Sequence, residues 1–175
     1  MRVIVIVFLF IINSLVYAYI TGQGGILSEL GTSFVMGIEK NFFITKAVSV
    51  NTSFNYAFGY QSDYWFYFMV TTTHHFVMPS VSLSLYIMRG KVKHFEPYID
   101  SGCGYVLAVL RKNGLKGKIE TDIDNGGFVK MTFGSDFPIK SPVLPFIETG
   151  AWIIIGVDGS TYTNFAFLSG LRFKI

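Results

Sequence analysis

Residues 47–60 read AVSVNTSFNYAFGY. The even positions carry Val48, Val50, Thr52, Phe54, Tyr56, Phe58 and Tyr60, and the odd positions Ala47, Ser49, Asn51, Ser53, Asn55, Ala57 and Gly59. Successive side chains of a β-strand point to opposite faces. Laid out as a strand, this segment therefore has one apolar, aromatic face and one small, mostly polar face. A helix would scatter both sets around its circumference.

The same period of two recurs outward from this segment. Residues 80–88 alternate Ser80, Ser82, Ser84 and Tyr86 with Val81, Leu83, Leu85 and Ile87. Residues 128–137 oppose Val129, Met131, Phe133 and Phe137 to Lys130, Thr132, Gly134 and Asp136. Residues 164–175 oppose Phe165, Phe167, Leu171, Phe173 and Ile175 to Asn164, Ala166, Gly170, Arg172 and Lys174. Residues 33–39 set Phe34, Met36 and Ile38 against Ser33, Gly37 and Glu39. Residues 97–110 and 145–155 alternate less cleanly, with Asp100, Gly102 and Gly104 on the polar face of the first and Glu148 and Gly150 on that of the second.

Composition decides which face meets what. Charged residues make up 14% of the 175, against about a quarter in soluble domains. Hydrophobic residues make up 51% and aromatics 17%. A soluble sandwich turns its apolar face inward and carries many Lys, Glu and Asp outside. Here the polar faces are mostly Ser, Asn, Ala and Gly, which suit the crowded interior of a narrow barrel whose apolar face meets lipid. Membrane helices are excluded, because the longest apolar run after the first twenty residues is 64–70, only seven residues. The fold expected is all-β: an eight-stranded, antiparallel, up-and-down transmembrane β-barrel.

Seven strands are readable, near 31–39, 46–58, 76–88, 96–110, 126–137, 144–156 and 164–175. Their connections alternate between short (40–45, 89–95, 138–143) and longer (59–75, 111–125, 157–163). Bacterial outer-membrane barrels have even strand numbers, short periplasmic turns and longer external loops. Parity therefore requires an outward strand before the first readable one, and residues 19–28 (YITGQGGILS) supply it. A rival assignment makes residues 64–72 a strand instead. An open sheet is excluded, because hydrocarbon tolerates no unpaired edge.

Residues 1–18 read as a cleavable signal peptide: Arg2, an apolar run over 3–12, and Val16-Tyr17-Ala18 before the cut. The domains expected are thus 1–18, leader, and 19–175, barrel. An uncleaved anchor helix is the competing reading. Aromatics gather at the two strand ends. Phe58, Tyr60, Tyr64 and Trp65 lie near the external end, and Phe42, Phe43, Phe95, Phe137, Phe146 and Phe173 near the periplasmic end. Pro97, Pro138, Pro142 and Pro145 fall in or beside the periplasmic turns.

The segment Glu96-Pro97-Tyr98-Ile99-Asp100-Ser101-Gly102-Cys103-Gly104-Tyr105 is similar to the Pro-Tyr-x-x-x-Gly-x-Gly-Tyr segment of the small eight-stranded outer-membrane barrels. That superfamily includes the OmpA transmembrane domain and OmpX. The ending Gly170-Leu171-Arg172-Phe173-Lys174-Ile175 resembles their alternating last strand, except that Ile175 stands where an aromatic is usual. The resemblance implies a bacterial outer-membrane location, contact with outer-membrane lipids, and assembly by the barrel-assembly machinery through the C-terminal strand.

Seven charges fall on inward faces: Glu39, Asp100, Lys130, Asp136, Glu148, Arg172 and Lys174. Such groups pair or hydrate in a narrow interior, so a structural salt-bridge network is expected; a gated ion path is the sharper alternative. Tyr64, Trp65, Phe66, Tyr67 and Phe68 form a possible surface-binding loop for an extracellular ligand, or an extension of the sheet. His74, His75 and His94 read as exposed loop histidines, with no His-x-Ser pattern on a strand. A lipid A-modifying enzyme thus remains only an alternative. Cys103 is expected to face lipid. No catalytic set, cofactor or metal site is indicated, and a net charge of +3 without a long basic run gives no nucleic-acid platform. The function expected is a non-enzymatic outer-membrane barrel with a structural or surface-interaction role.

Overall fold

A computed structural model describes residues 18–28, 33–65, 68–113, 119–139 and 142–174. They form β1 (Ala18–Ser28), β2 (Ser33–Phe43), β3 (Val48–Trp65), β4 (Phe68–Tyr86), β5 (Glu96–Asn113), β6 (Ile119–Asp136), β7 (Val143–Gly156) and β8 (Thr161–Lys174). No helix occurs among the described residues. The leader expected at 1–18 lies outside them, apart from Ala18, which opens β1.

Each strand pairs antiparallel with the next, and β8 returns to β1 to close the barrel. The closing register runs from Tyr19 opposite Lys174 to Ser28 opposite Phe165. Closure removes the sheet edge that lipid would not tolerate. The strand required by parity at 19–28 is therefore β1. The rival strand over 64–72 is not formed as one element, because Trp65 faces Phe68 across a single hairpin.

The connections differ from expectation. Residues 59–65 and 68–75, expected as loop, continue β3 and β4, with Gly59 opposite His74 and Gln61 opposite Thr72. Residues 111–113 and 119–125 likewise extend β5 and β6, with Arg111 opposite Thr121. β-Branched and aromatic residues on these arms, such as Thr71-Thr72-Thr73 and Tyr60, favour pairing over coil. β3 and β4 reach 18 and 19 residues, against 11 for β1. A membrane crossing needs about 9–11 residues, so both central hairpins project well past it.

Sidedness follows the period of two. Ser49, Asn51, Asn55 and Ala57 are buried inside, while Phe54 and Phe58 are exposed outside. On β2, Phe34, Met36 and Ile38 are all more than 60% exposed, which is the reverse of a water-soluble core. Cys103 is exposed on the outer wall of β5.

The interior has two halves. Toward the terminal-bearing end it is polar and charged. Toward the other end it is apolar, packed with Leu27, Val35, Phe76, Met78, Phe128 and Trp152 among others. Phe43 and Phe146, expected among the end aromatics, also turn inward and are buried. Gly134 marks how tightly the lumen is filled: a Cβ there would overlap the Tyr98 phenol ring.

The β7–β8 connection is a tight turn in which Gly159 adopts φ 83°, the left-handed region glycine enters without strain. Asp158 Oδ1 accepts the Ser160 hydroxyl at 2.6 Å and the Ser160 N–H at 2.9 Å. These bonds, the hydroxyl first, hold the Asp158 carboxyl below its ordinary value. The turn contacts are therefore complete above the ordinary carboxyl range and are lost as pH falls through the lowered value. Following the Asp158 carboxyl carbon by NMR, Ser160→Ala is expected to move its midpoint up toward that of a free aspartate; an unmoved midpoint contradicts this origin.

Candidate functional site: a buried ion network

Alternation on eight different strands delivers polar side chains to one level of the lumen. Arg172 of β8 sits at the centre and is wholly buried. Its Nη1 pairs with Asp136 of β6 and donates to the Tyr86 hydroxyl of β4 at 3.0 Å. Its Nη2 donates to the Tyr98 hydroxyl of β5 at 3.0 Å and lies 3.8 Å from Glu39 of β2. The guanidinium also packs 4.5 Å from the Phe146 ring centroid and 4.8 Å from that of Tyr98. Arginine suits this position because its planar fork holds several acceptors at once and stacks on rings.

Two further carboxylates are anchored nearby. Lys130 Nζ lies 2.7 Å from Asp100 Oδ2, and Asp100 Oδ1 accepts Ser84 Oγ at 2.7 Å and Asn51 Nδ2 at 3.0 Å. Glu148 accepts Thr132 Oγ1 at 2.7 Å and the Tyr98 hydroxyl at 2.9 Å. Asn41 links Glu39 at 2.6 Å to Asn51 at 2.9 Å, and Thr21 of β1 donates to Asn41 at 2.8 Å. The network thus joins all eight strands.

Four carboxylates face two cations in this layer, all at least nine-tenths buried. Neutral donors complete the partners of the four acids: Tyr86, Tyr98, Thr132, Ser84, Asn41 and Asn51. Hydrogen bonds to a charged group are about twice as strong as neutral ones, so these donors offset part of the cost of burying the acids.

Six of the seven expected inward charges lie in this layer. Lys174 does not: it shares the parity of Arg172 but stands at the barrel rim, exposed. The tyrosines and asparagines that complete the network carry no charge to single them out, although they share the parity of the acids beside them.

Two of the three histidines also differ from expectation. His74 and His75 lie on β4, not in a loop. His74 is buried beside Phe76, ring centroids 6.1 Å apart and nearly parallel. His75 is on the outer wall and its Nδ1 meets the Tyr56 hydroxyl at 2.6 Å. His94 lies exposed in the turn after β4. Tyr64 and Trp65 close β3 and Phe68 opens β4, while Phe66 and Tyr67 lie outside the described residues. No group of three or more metal-ligating side chains occurs among the described residues.

The geometry defines a class: a closed eight-stranded barrel, apolar outside and ion-paired within. No family model and no curated protein matches the chain. Solved structures do match. Neisserial surface protein A superposes with a TM-score of 0.66 at 12% identity, over 91% of this chain and 96% of that one. A major outer membrane protein from Thermus thermophilus gives 0.60 at 9% identity, over 90% and 99%. Ail, the attachment invasion locus protein of Yersinia pestis, gives 0.53 at 12% identity, over 90% and 97%. At such identities the likeness is one of fold: the chain has the fold of the small eight-stranded outer-membrane barrels.

Proposed function

We propose that this chain is an integral protein of the bacterial outer membrane, non-enzymatic, that carries its two long hairpins at the cell surface. The observation that supports this reading is the inversion of sidedness: an apolar outer wall around a charged, hydrogen-bonded layer. The hairpins β3–β4 and β5–β6 would be the structural and interaction elements, with the segment Tyr64, Trp65, Phe66, Tyr67 and Phe68 offering the surface for an extracellular ligand. Outer-membrane lipids would cover the wall, and β8 would be the segment offered to the barrel-assembly machinery. The names of neisserial surface protein A and the attachment invasion locus protein agree with a surface role.

Density fractionation of cell envelopes tests the location. The chain should sediment with outer membranes, and a cysteine placed at Asn113 should react with an impermeant maleimide on intact cells. Recovery in the soluble fraction overturns the reading. A second prediction concerns the wall itself. Met131 is outward and half exposed near the middle of the membrane-spanning part of β6. Met131→Arg should destabilise the reconstituted barrel by about 2–4 kcal/mol, the cost of a cation at the bilayer midplane. A cost near zero would place that face in water.

One observation favours a second reading. His75 faces outward with a tyrosine partner, which is where a lipid-modifying group would stand. Substituting His74, His75 and His94 together should leave lipid A unchanged by mass spectrometry; an altered lipid A would favour the enzyme. An ion channel is opposed by the apolar packing around Trp152, and planar-bilayer recording of the refolded protein should show no steady pore.

A further inference from the structure

The terminal-bearing end of the barrel holds a cavity of about 510 Å³ that the ion network does not use. Tyr19, Phe43, Lys46, Arg89, Glu96 and Lys174 line it. Arg89 is fixed before any ligand arrives. Its guanidinium carbon lies 3.5 Å from the Phe43 ring centroid, 4.9 Å from that of Tyr86 and 5.8 Å from that of Tyr19. Its Nη2 donates to the Tyr19 hydroxyl at 3.3 Å, and its Nε is 3.6 Å from Glu96. Glu96 in turn accepts the Gly90 N–H at 2.9 Å, and Gly90 holds φ 73° to make that bond.

Three cations therefore face one carboxylate around an open space. Glu96 can offset only one of them. The stacked guanidinium is pre-organised, so little side-chain freedom is lost when an oxyanion binds. Lys46 and Lys174 line the same cavity and are exposed, so their flexible ammonium groups can turn toward two further oxygens. Tetrahedral oxyanions match this arrangement of one fork and two point charges.

We propose that this cavity binds a phosphate group, carried by a phospholipid headgroup or present as free phosphate. The proposal rests on the cavity and does not depend on the surface role given above.

The test uses the refolded barrel in a maltoside detergent, which contains no phosphate, with the Arg89 Nε–H followed by NMR. Inorganic phosphate and dihexanoyl-phosphatidylglycerol are titrated in separate arms. A saturable Arg89 shift is expected in at least one arm, and the arm that saturates identifies the source. The double variant Lys46→Gln, Lys174→Gln should weaken binding roughly tenfold, the scale of losing two exposed ion contacts. The double variant Lys91→Gln, Lys93→Gln removes the same charge from the neighbouring turn, outside the cavity, and should change binding far less. Equal weakening by both pairs, or no saturable shift in either arm, overturns the proposal. Heat-modifiable migration of each variant on gels separates lost binding from lost folding.

Discussion

Arg172→Met is expected to lower the unfolding free energy of the reconstituted barrel by about 3–5 kcal/mol, the usual cost of removing one partner from a buried charge pair. Much of the aliphatic stem is kept, so the loss is mainly electrostatic. Asp136 would lose its cation, Glu39 its nearest guanidinium nitrogen, and the Tyr86 and Tyr98 hydroxyls a shared donor. The second variant in the cycle is Asp136→Asn. If the two groups act on each other, the double variant should recover a substantial part of the loss, because no uncompensated aspartate remains. Urea unfolding in lipid vesicles measures both. A change below about 1 kcal/mol, the scale of an exposed pair, would mean that water reaches Arg172 and that the layer is not closed.

Trp152→Ala is expected to cost about 3–5 kcal/mol, as for other large core aromatics. Trp152 is wholly buried in the apolar half of the lumen and stacks on Phe128, ring centroids 5.4 Å apart at 14°. Strand pairing fixes the backbone on both sides of it, and the Lys130 ammonium is held by Asp100 at 2.7 Å, so little can collapse into the space. The outward residue Phe167 provides the comparison. Lipid chains can fill what Phe167→Ala vacates, so that variant should lose much less. Equal losses at the two sites would remove the distinction between lumen and lipid face.

The period of two carries most of the fold. It is clean wherever one face is polar, as over 47–60 and 80–88, and there the faces read directly. It fails where both faces are apolar. Phe128, Trp152 and Ile154 point inward yet resemble their outward neighbours, so the apolar half of the lumen does not stand out in the sequence. The two projecting hairpins are hidden for a related reason. On these arms inward and outward residues are both polar, so segments such as Thr71-Thr72-Thr73 look like loop although Thr72 is buried. His74 and His75 are displaced with them.

The candidate site is legible to the extent that charge and parity specify it. Parity sets Glu39, Asp100, Lys130, Asp136, Glu148 and Arg172 on inward faces. It cannot tell which of them meet, because that depends on barrel closure, which brings strands far apart in the chain, such as those of Glu39 and Arg172, to either side of β1. It also misjudges Lys174, since parity does not tell where the barrel ends. Tyr98 stands out in the sequence only within the segment resembling outer-membrane barrels; its hydroxyl bridges Arg172 and Glu148.

The central claim is that side chains along one strand alternate between lipid and a closed interior. Nitroxide labels placed one at a time at positions 49–58, in a Cys103→Ser background and in bilayers, test it directly. Collision with oxygen, which concentrates in lipid, should peak at even positions and fall at odd ones, and collision with a water-soluble nickel chelate should stay low at both. Strong chelate collision at the even positions would contradict the account.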